Sequence, residues 1–255
     1  MPFYFCALKI CMQQEWFESW FDSPYYKLLY RHRDETEAAA FIKKLLEEIH
    51  LEKGAKILDM PCGNGRHSVV MADLGYDVSG IDLSERNICE ALLNDQPNLH
   101  FFEHDMREQL YTNQFDLVMN LFTSFGYFDS EEENKKAMQS IAQSLKPGGL
   151  LVIDFFNDNL LRNNLKSTDK IIVDGVEFFI DRKIENNFVV KSIHIKDEEK
   201  DFDFEECVQL LELKDFEKYY SPFGLFTEKV YGDYQLKPFT KNSERLIIIA
   251  RKRND

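Results

Sequence analysis

The chain has 255 residues, 44% of them hydrophobic and 14% aromatic, with a formal net charge of −14. That length suits one elaborated domain, and the apolar content excludes a globally disordered chain. The acidic balance argues against a nucleic-acid surface and against an anionic membrane surface, both of which need clustered Lys and Arg.

In chain order, Met1–Cys11 is apolar but short, with neither a basic start nor a small-residue cleavage pattern, and reads as an extension rather than a signal peptide. Trp16 to Tyr30 is dense in aromatics and predicts one or two helices docked on the core, or a lid over a ligand. Thr36–His50 carries apolar residues at helical spacing. Lys56–Met60 predicts a first strand and Arg66–Leu74 a helix. Asp77–Leu83 predicts a second strand, and a helix capped by Ser84 follows it. Leu99–His104 and Phe115–Phe122 predict strands three and four. Ser130, with Glu133 three residues on, starts a helix to Leu145. Pro147-Gly148-Gly149 is a turn, and Leu150–Phe156 is an apolar fifth strand. Alternating strands and helices with apolar inner strands predict a parallel sheet covered on both faces. After Asn157 the pattern changes. Strand-like runs at 170–173, 176–183, 188–195 and 202–210, broken at Asp174-Gly175 and Asn186-Asn187, predict an antiparallel insertion. Leu213–Tyr220 predicts a helix, and 223–231 and 244–251 two last strands.

The five cysteines are widely spaced with no CxxC, and the six histidines form no paired motif, which points to reduced intracellular thiols and no metal site. No apolar run approaches the ~18 residues of a membrane helix. A cytoplasmic location is expected.

The informative segment is Asp59-Met60-Pro61-Cys62-Gly63-Asn64-Gly65, a strand end running into a glycine turn and a helix. Such turns bind nucleotide-like ligands. Asp59 stands where a dinucleotide would bring its pyrophosphate. Like charges about 4 Å apart repel by roughly 4 kcal/mol at an effective dielectric near 20. A cationic, phosphate-free adenosyl ligand, S-adenosylmethionine (SAM), therefore fits better than a nicotinamide dinucleotide. Three further signals fall at later strand ends: Asp82, placed to accept ribose hydroxyls; Asp105-Met106, placed for an adenine; and Asn120, an amide in an apolar strand, which either faces the methionine part of the ligand or ties down a loop.

At these residues the chain resembles a class I SAM-dependent methyltransferase. The matching stretches are ILDMPCGNGRHS at 57–68, GIDLS at 80–84, HDMRE at 104–108, FDLVMNLFTSFGYF at 115–128 and LKPGGLLVIDFFN at 145–157. The two chain ends are similar to those of a bacterial group of small-molecule methyltransferases with an antiparallel insertion after strand five. The resemblance implies a Rossmann-like, seven-stranded, mostly parallel α/β sheet with helices on both faces, plus the β insertion. It divides the chain into an N-terminal extension and lid (1–34), a SAM-binding core (35–160), an insertion that caps the substrate side or forms a dimer contact (161–211), and a C-terminal part completing the sheet (212–255). It implies SAM-binding roles for Asp59, Gly63, Gly65, Asp82, Leu83, Asp105, Met106 and Asn120, with Tyr30 and Arg33 on the SAM carboxylate. Pro61 replaces the family's first loop glycine, and the strand-four exit Asn120-Leu121-Phe122-Thr123 departs from the pattern of amino-methylating DNA enzymes.

Methyl transfer needs mainly position and field, and a base only for a protonated acceptor. No base is assigned; Tyr127 and His67 are candidates, with Ser124 and His32 near the same mouth. The expected function is methylation of a small molecule at N or O, by a monomer or homodimer. The alternatives are an RNA or protein methyltransferase, a SAM-binding protein without transferase activity, and a nicotinamide oxidoreductase.

Overall fold

The computed structural model describes residues 15–31, 35–94, 96–128 and 130–254, with the backbone alone for 35–37. His32, Arg33 and the extension at 1–11 lie outside the described residues. The elements are α1 (Trp16–Phe21), α2 (Pro24–Tyr30), α3 (Glu35–Glu48), β1 (Lys56–Asp59), α4 (Arg66–Asp73), β2 (Asp77–Asp82), α5 (Glu85–Ala91), β3 (Leu99–Glu103), β4 (Phe115–Asn120), α6 (Glu131–Ser144), β5 (Leu145–Phe156), α7 (Asp158–Asn164), β6 (Thr168–Val173), β7 (Val176–Glu185), β8 (Phe188–Asp197), β9 (Lys200–Gln209), α8 (Leu213–Tyr220), β10 (Leu225–Tyr231) and β11 (Arg245–Lys252).

The main sheet has seven strands in the order β10-β11-β5-β4-β1-β2-β3. β1 to β5 pair in parallel, and β11 runs antiparallel to both β5 and β10. The inner strands are apolar throughout because both faces are covered. Side chains of successive strand residues point to opposite faces. Leu58, Val118, Leu151, Ile153 and Ile248 meet α6 and α8 on one side. Ile57, Leu117, Val152, Ile247 and Ile249 meet α3, α4 and α5 on the other. Local signals start the helices as expected: the Ser84 and Ser130 side chains accept from the backbone N–H of Asn87 and Glu133.

Two local features differ from the sequence expectation. The fifth strand begins at Leu145 rather than Leu150, because pairing with β4 runs from Phe115↔Leu145 through an irregularity that absorbs Pro147-Gly148-Gly149. A short helix, α7, follows Asn157, whose side chain caps it by accepting from Asn159 N–H.

The insertion is a separate antiparallel sheet in the order β6-β7-β8-β9. Asp174-Gly175 and Asn186-Asn187 all have positive φ, which two-residue hairpin turns of matching twist require. One face of this sheet carries Phe178, Ile180, Ile193 and Ile195, which pack with Trp20 and Leu29 of the N-terminal helices, while Phe17 joins the main core. The aromatic N-terminus therefore joins the two sheets. Trp20 is fully buried and donates its Nε1–H to Glu206 Oε1 at 2.7 Å. We expect Trp20→Ala to lower unfolding stability by about 3–5 kcal/mol, read from urea denaturation; a loss below about 1 kcal/mol would show that this junction does not hold the sheets together.

Candidate functional site

The chain runs β1-β2-β3 toward one edge of the main sheet and then returns to β4 on the far side of β1. The crevice at the carboxyl ends of β1 and β4 is thus the point where strand order reverses, the usual ligand position in open α/β sheets. Met60–Gly65 leaves β1 here. Asp59 is buried and accepts from Ser68 Oγ at 2.6 Å. Burial pushes its carboxyl up to about 7, against the hydrogen bond from Ser68. Gly63 and Gly65 both have positive φ, and Gly65 precedes α4. A side chain at Gly65 would strike the Phe101 ring, at 2.5 Å, whereas one at Gly63 would meet nothing within 4 Å. The first glycine therefore leaves open space beside the turn, and the second admits Phe101 beneath it.

Asp82 organises this turn. One carboxylate oxygen accepts from Gly63 N–H at 2.8 Å; the other accepts from Ser84 N–H at 3.0 Å and Asn87 Nδ2 at 3.3 Å. Burial raises its pKa, opposed by these donors and by the charge of Lys27. Asn120 lies across the crevice. Its Nδ2 donates to the carbonyls of Met60, at 2.9 Å, and Ser124, at 3.1 Å, while its buried Oδ1 has no partner among the described residues. The amide thus ties the loop and also presents an unsatisfied acceptor, which costs about 1–3 kcal/mol unless a ligand meets it.

Asp105 is held differently from the expectation. Both of its oxygens accept from the Arg107 guanidinium, at 2.7–3.1 Å. Arg107 also contacts Glu15 and Glu133 and stands 4.8 Å from the centre of the Phe128 ring. Arg107 has no role in the sequence pattern of the site; its one local signal is an arginine two residues after a strand-end acid. Met106 is buried in the main core, with Leu83 packed against it.

The N-terminal helices roof this edge. Ser84 Oγ donates to Asp22 at 2.8 Å, Lys27 pairs with Glu90, and Glu15 reaches Arg107. The Tyr30 hydroxyl is engaged by the inserted sheet: it donates to Glu206 Oε1 at 2.6 Å and accepts from Lys191.

The sequence pattern of a methyltransferase domain matches residues 30–213. The chain belongs to the methyltransferase-domain family. Its fold matches a SAM-dependent methyltransferase from Clostridium acetobutylicum ATCC 824 with a TM-score of 0.75 at 23% identity, covering 90% of this chain and 96% of that one. The sugar N-methyltransferase KedS8 of Streptoalloteichus sp. ATCC 53650 superposes with a TM-score of 0.71 at 22% identity, over 89% of this chain and 92% of that one. Among curated relatives, the dTDP-3-amino-3,4,6-trideoxy-alpha-D-glucopyranose N,N-dimethyltransferase of Streptomyces venezuelae is 30% identical over 51% of this chain and 54% of its own length. The glycine/sarcosine N-methyltransferase of Aphanothece halophytica is 31% identical over 58% and 57%. The chain thus spans about half the length of these two relatives. Family and fold make it a class I SAM-dependent methyltransferase.

The methyltransferase carries a second polar cluster at the exit of β4. Phe122 and Thr123 both have positive φ, at 58° and 62°, a conformation costing on the order of 1–3 kcal/mol for each residue with a side chain. Asp154 of β5 holds them: its Oδ2 accepts from Phe122 N–H at 2.9 Å and its carbonyl from Thr123 N–H at 2.8 Å. Arg245, at the start of β11, donates through Nε to Asp154 Oδ1 at 2.7 Å and through Nη2 to Thr123 Oγ1 at 3.1 Å. The Tyr127 hydroxyl donates to the Thr123 carbonyl, and its ring packs on Trp16 and Phe21. His67 is buried and stacked on Phe122 at 4.7 Å. Burial pushes its pKa down to about 3, so it stays neutral at physiological pH and is a weak base.

Among the described residues no group of acids, histidines and cysteines could hold a metal ion, and no helix is long and apolar enough to cross a membrane. Cys62, Cys89 and Cys207 are free thiols.

Proposed function

We propose that this methyltransferase transfers a methyl group from SAM to the amine of a small molecule. Asp59, Gly63, Gly65, Asp82, Leu83, Asp105, Met106 and Asn120 form the cofactor side of the site. One observation carries the cofactor placement: Asn120, at the carboxyl end of β4 beside the switch point, keeps a buried Oδ1 without a partner among the described residues, while Asp59 and Asp82 stand at the carboxyl ends of β1 and β2. That set suits a ligand bearing ammonium, sulfonium and ribose hydroxyls. When bound, SAM supplies a methyl group on a good leaving group, so the protein's task is to hold and orient it. Asp82 keeps the glycine turn in place, Asn120 offers an acceptor, and α1 and α2 exclude water above the strand ends. We place the inserted sheet, 161–211, over the acceptor as a cap.

Two features support an amine acceptor. The imidazole of His67 is too weak a base to deprotonate a hydroxyl, whereas an amine arrives with a free lone pair above its pKa. The Streptomyces and Aphanothece relatives are both named for amine methylation. Tyr30 and Arg33 as carboxylate ligands stay part of the proposal, with Tyr30 turning from Glu206 to do so. The test is mass-spectrometric detection of methylated product from a panel containing dTDP-3-amino sugars, glycine and a catechol, with SAM as donor. Methylation of an amine is expected; turnover of the catechol alone would overturn the reading.

The raised pKa of Asp59 makes a pH prediction. Its folded value, about 7, lies above the ordinary carboxyl value of 3.8, so below about pH 7 the site holds a proton. Folding stability from this group is therefore greatest below pH 4 and declines as pH rises toward 7. Cation binding favours the ionised form. SAM affinity should accordingly rise between about pH 5.5 and pH 7.5 and binding should release a proton, read by calorimetry in buffers of different ionisation enthalpy. Asp59→Asn should abolish the proton release; its persistence in that variant would assign the proton elsewhere.

A further inference from the structure

Arg107 and Arg245 are held in different ways. Arg107 spends Nε, Nη1 and Nη2 on three carboxylates. Arg245 spends only Nε, on Asp154, and Nη2, on Thr123. Its Nη1 donates to no described residue. The side chain keeps 19% of its surface exposed, and Nη1 is not among the buried atoms left without a partner, so it reaches an opening. The guanidinium is nonetheless held: Asp154 and Thr123 bind two of its nitrogens, and the Tyr234 ring lies 5.7 Å away.

Its place in the fold gives that opening a meaning. β11 runs antiparallel to β5, so its first residue stands at the carboxyl edge, with Arg245 opposite Phe156. The loop 121–124 is tied on one side to Asn120, in the crevice, and on the other to Asp154 and Arg245. Arg245 is therefore one loop's width from the proposed cofactor site. The strained residues Phe122 and Thr123 sit between them and are held by the same ion pair.

We infer that Arg245 is an oxyanion-binding residue of the acceptor site, presenting Nη1 to a carboxylate or phosphate on the incoming amine. This rests on the amine-acceptor reading above and sets the acceptor beside the β4 exit. Guanidinium donors match oxyanions in geometry as well as charge. Asp154 neutralises Arg245 in the free protein, and its own oxygens are engaged by Phe122 N–H, Tyr234 hydroxyl and Arg245, so it keeps the guanidinium oriented while Nη1 faces outward. The relatives' acceptors fit: dTDP sugars carry phosphates, and glycine carries a carboxylate.

The experiment uses the full chain labelled with [15N]arginine, with and without S-adenosylhomocysteine, titrated with dTDP and separately with glycine. The guanidinium resonances are followed by NMR, and Arg245 is assigned by its loss in Arg245→Lys. We expect the Arg245 signals to shift, with saturation in the millimolar range, while those of Arg107 stay in place. Response to dTDP alone assigns a phosphate, and response to glycine alone a carboxylate. Arg245→Lys, which keeps the charge on Asp154, should weaken the responsive probe about tenfold or more. Silence of Arg245 toward both probes, or unchanged probe affinity in Arg245→Lys, overturns the inference. The wild-type titration decides by itself if the variant does not fold. Failure of S-adenosylhomocysteine to bind would instead overturn the cofactor reading, which is scored separately.

Discussion

Asp154→Leu is expected to lower unfolding stability by about 3–5 kcal/mol and the melting temperature by on the order of 10 °C. Asp154 is fully buried and accepts from Arg245, Phe122 N–H and the Tyr234 hydroxyl. Leucine fills similar space but accepts nothing. It leaves a largely buried guanidinium unpaired and removes the carboxylate that accepts from Phe122 N–H, while the backbone carbonyl that accepts from Thr123 N–H stays. The cost comes less from the attraction lost than from the charge left without compensation. The double variant Asp154→Leu/Arg245→Met should therefore recover a large part of the loss, although the loop stays unsupported. Urea denaturation followed by tryptophan fluorescence measures both. A single-variant loss below about 1 kcal/mol, or a double variant worse than the single, would mean that the pair does not carry this edge of the sheet.

The second large effect is on ligand affinity. Asp82→Ala should weaken S-adenosylhomocysteine binding at least about tenfold, or 1.4 kcal/mol. Any hydroxyl contact is only part of the reason. Asp82 also accepts from Gly63 N–H, Ser84 N–H and Asn87, and hydrogen bonds to a charged group are worth roughly 1.5–3 kcal/mol each. Alanine therefore removes the proposed ligand contact and releases the glycine turn together. Asp82→Asn keeps the shape and one acceptor oxygen, and should fall between wild type and alanine. Isothermal calorimetry with S-adenosylhomocysteine checks the series; equal affinity in all three proteins would show that the ribose lies elsewhere.

Much of the fold could be read before the structure. Strand periodicity, the Ser84 and Ser130 caps, and the paired turns at Asp174-Gly175 and Asn186-Asn187 depend on contacts within a few residues, and so appear as local patterns. Asp59, Gly63, Gly65, Asp82 and Asn120 share that legibility, because each stands at the end of an apolar strand and the alternation of strands and helices sends those ends to one edge. The start of β5 departs from the local pattern because Pro147-Gly148-Gly149 has turn chemistry that pairing with β4 overrides.

Side-chain partnership could not be read in the same way. Arg107 and Glu15 are 92 positions apart, Arg245 and Asp154 91, and Tyr30 and Glu206 176. No periodicity relates such residues; they meet because the sheet order and the inserted strands bring distant segments together. Backbone preference and hydrophobic spacing thus dictate the layered sheet and the edge where the strand ends gather. Which acid is bound by which cation, which amide oxygen is left without a donor, and which arginine keeps a nitrogen facing outward follow only from long-range packing, where the desolvation of charged groups forces each of them to find a partner.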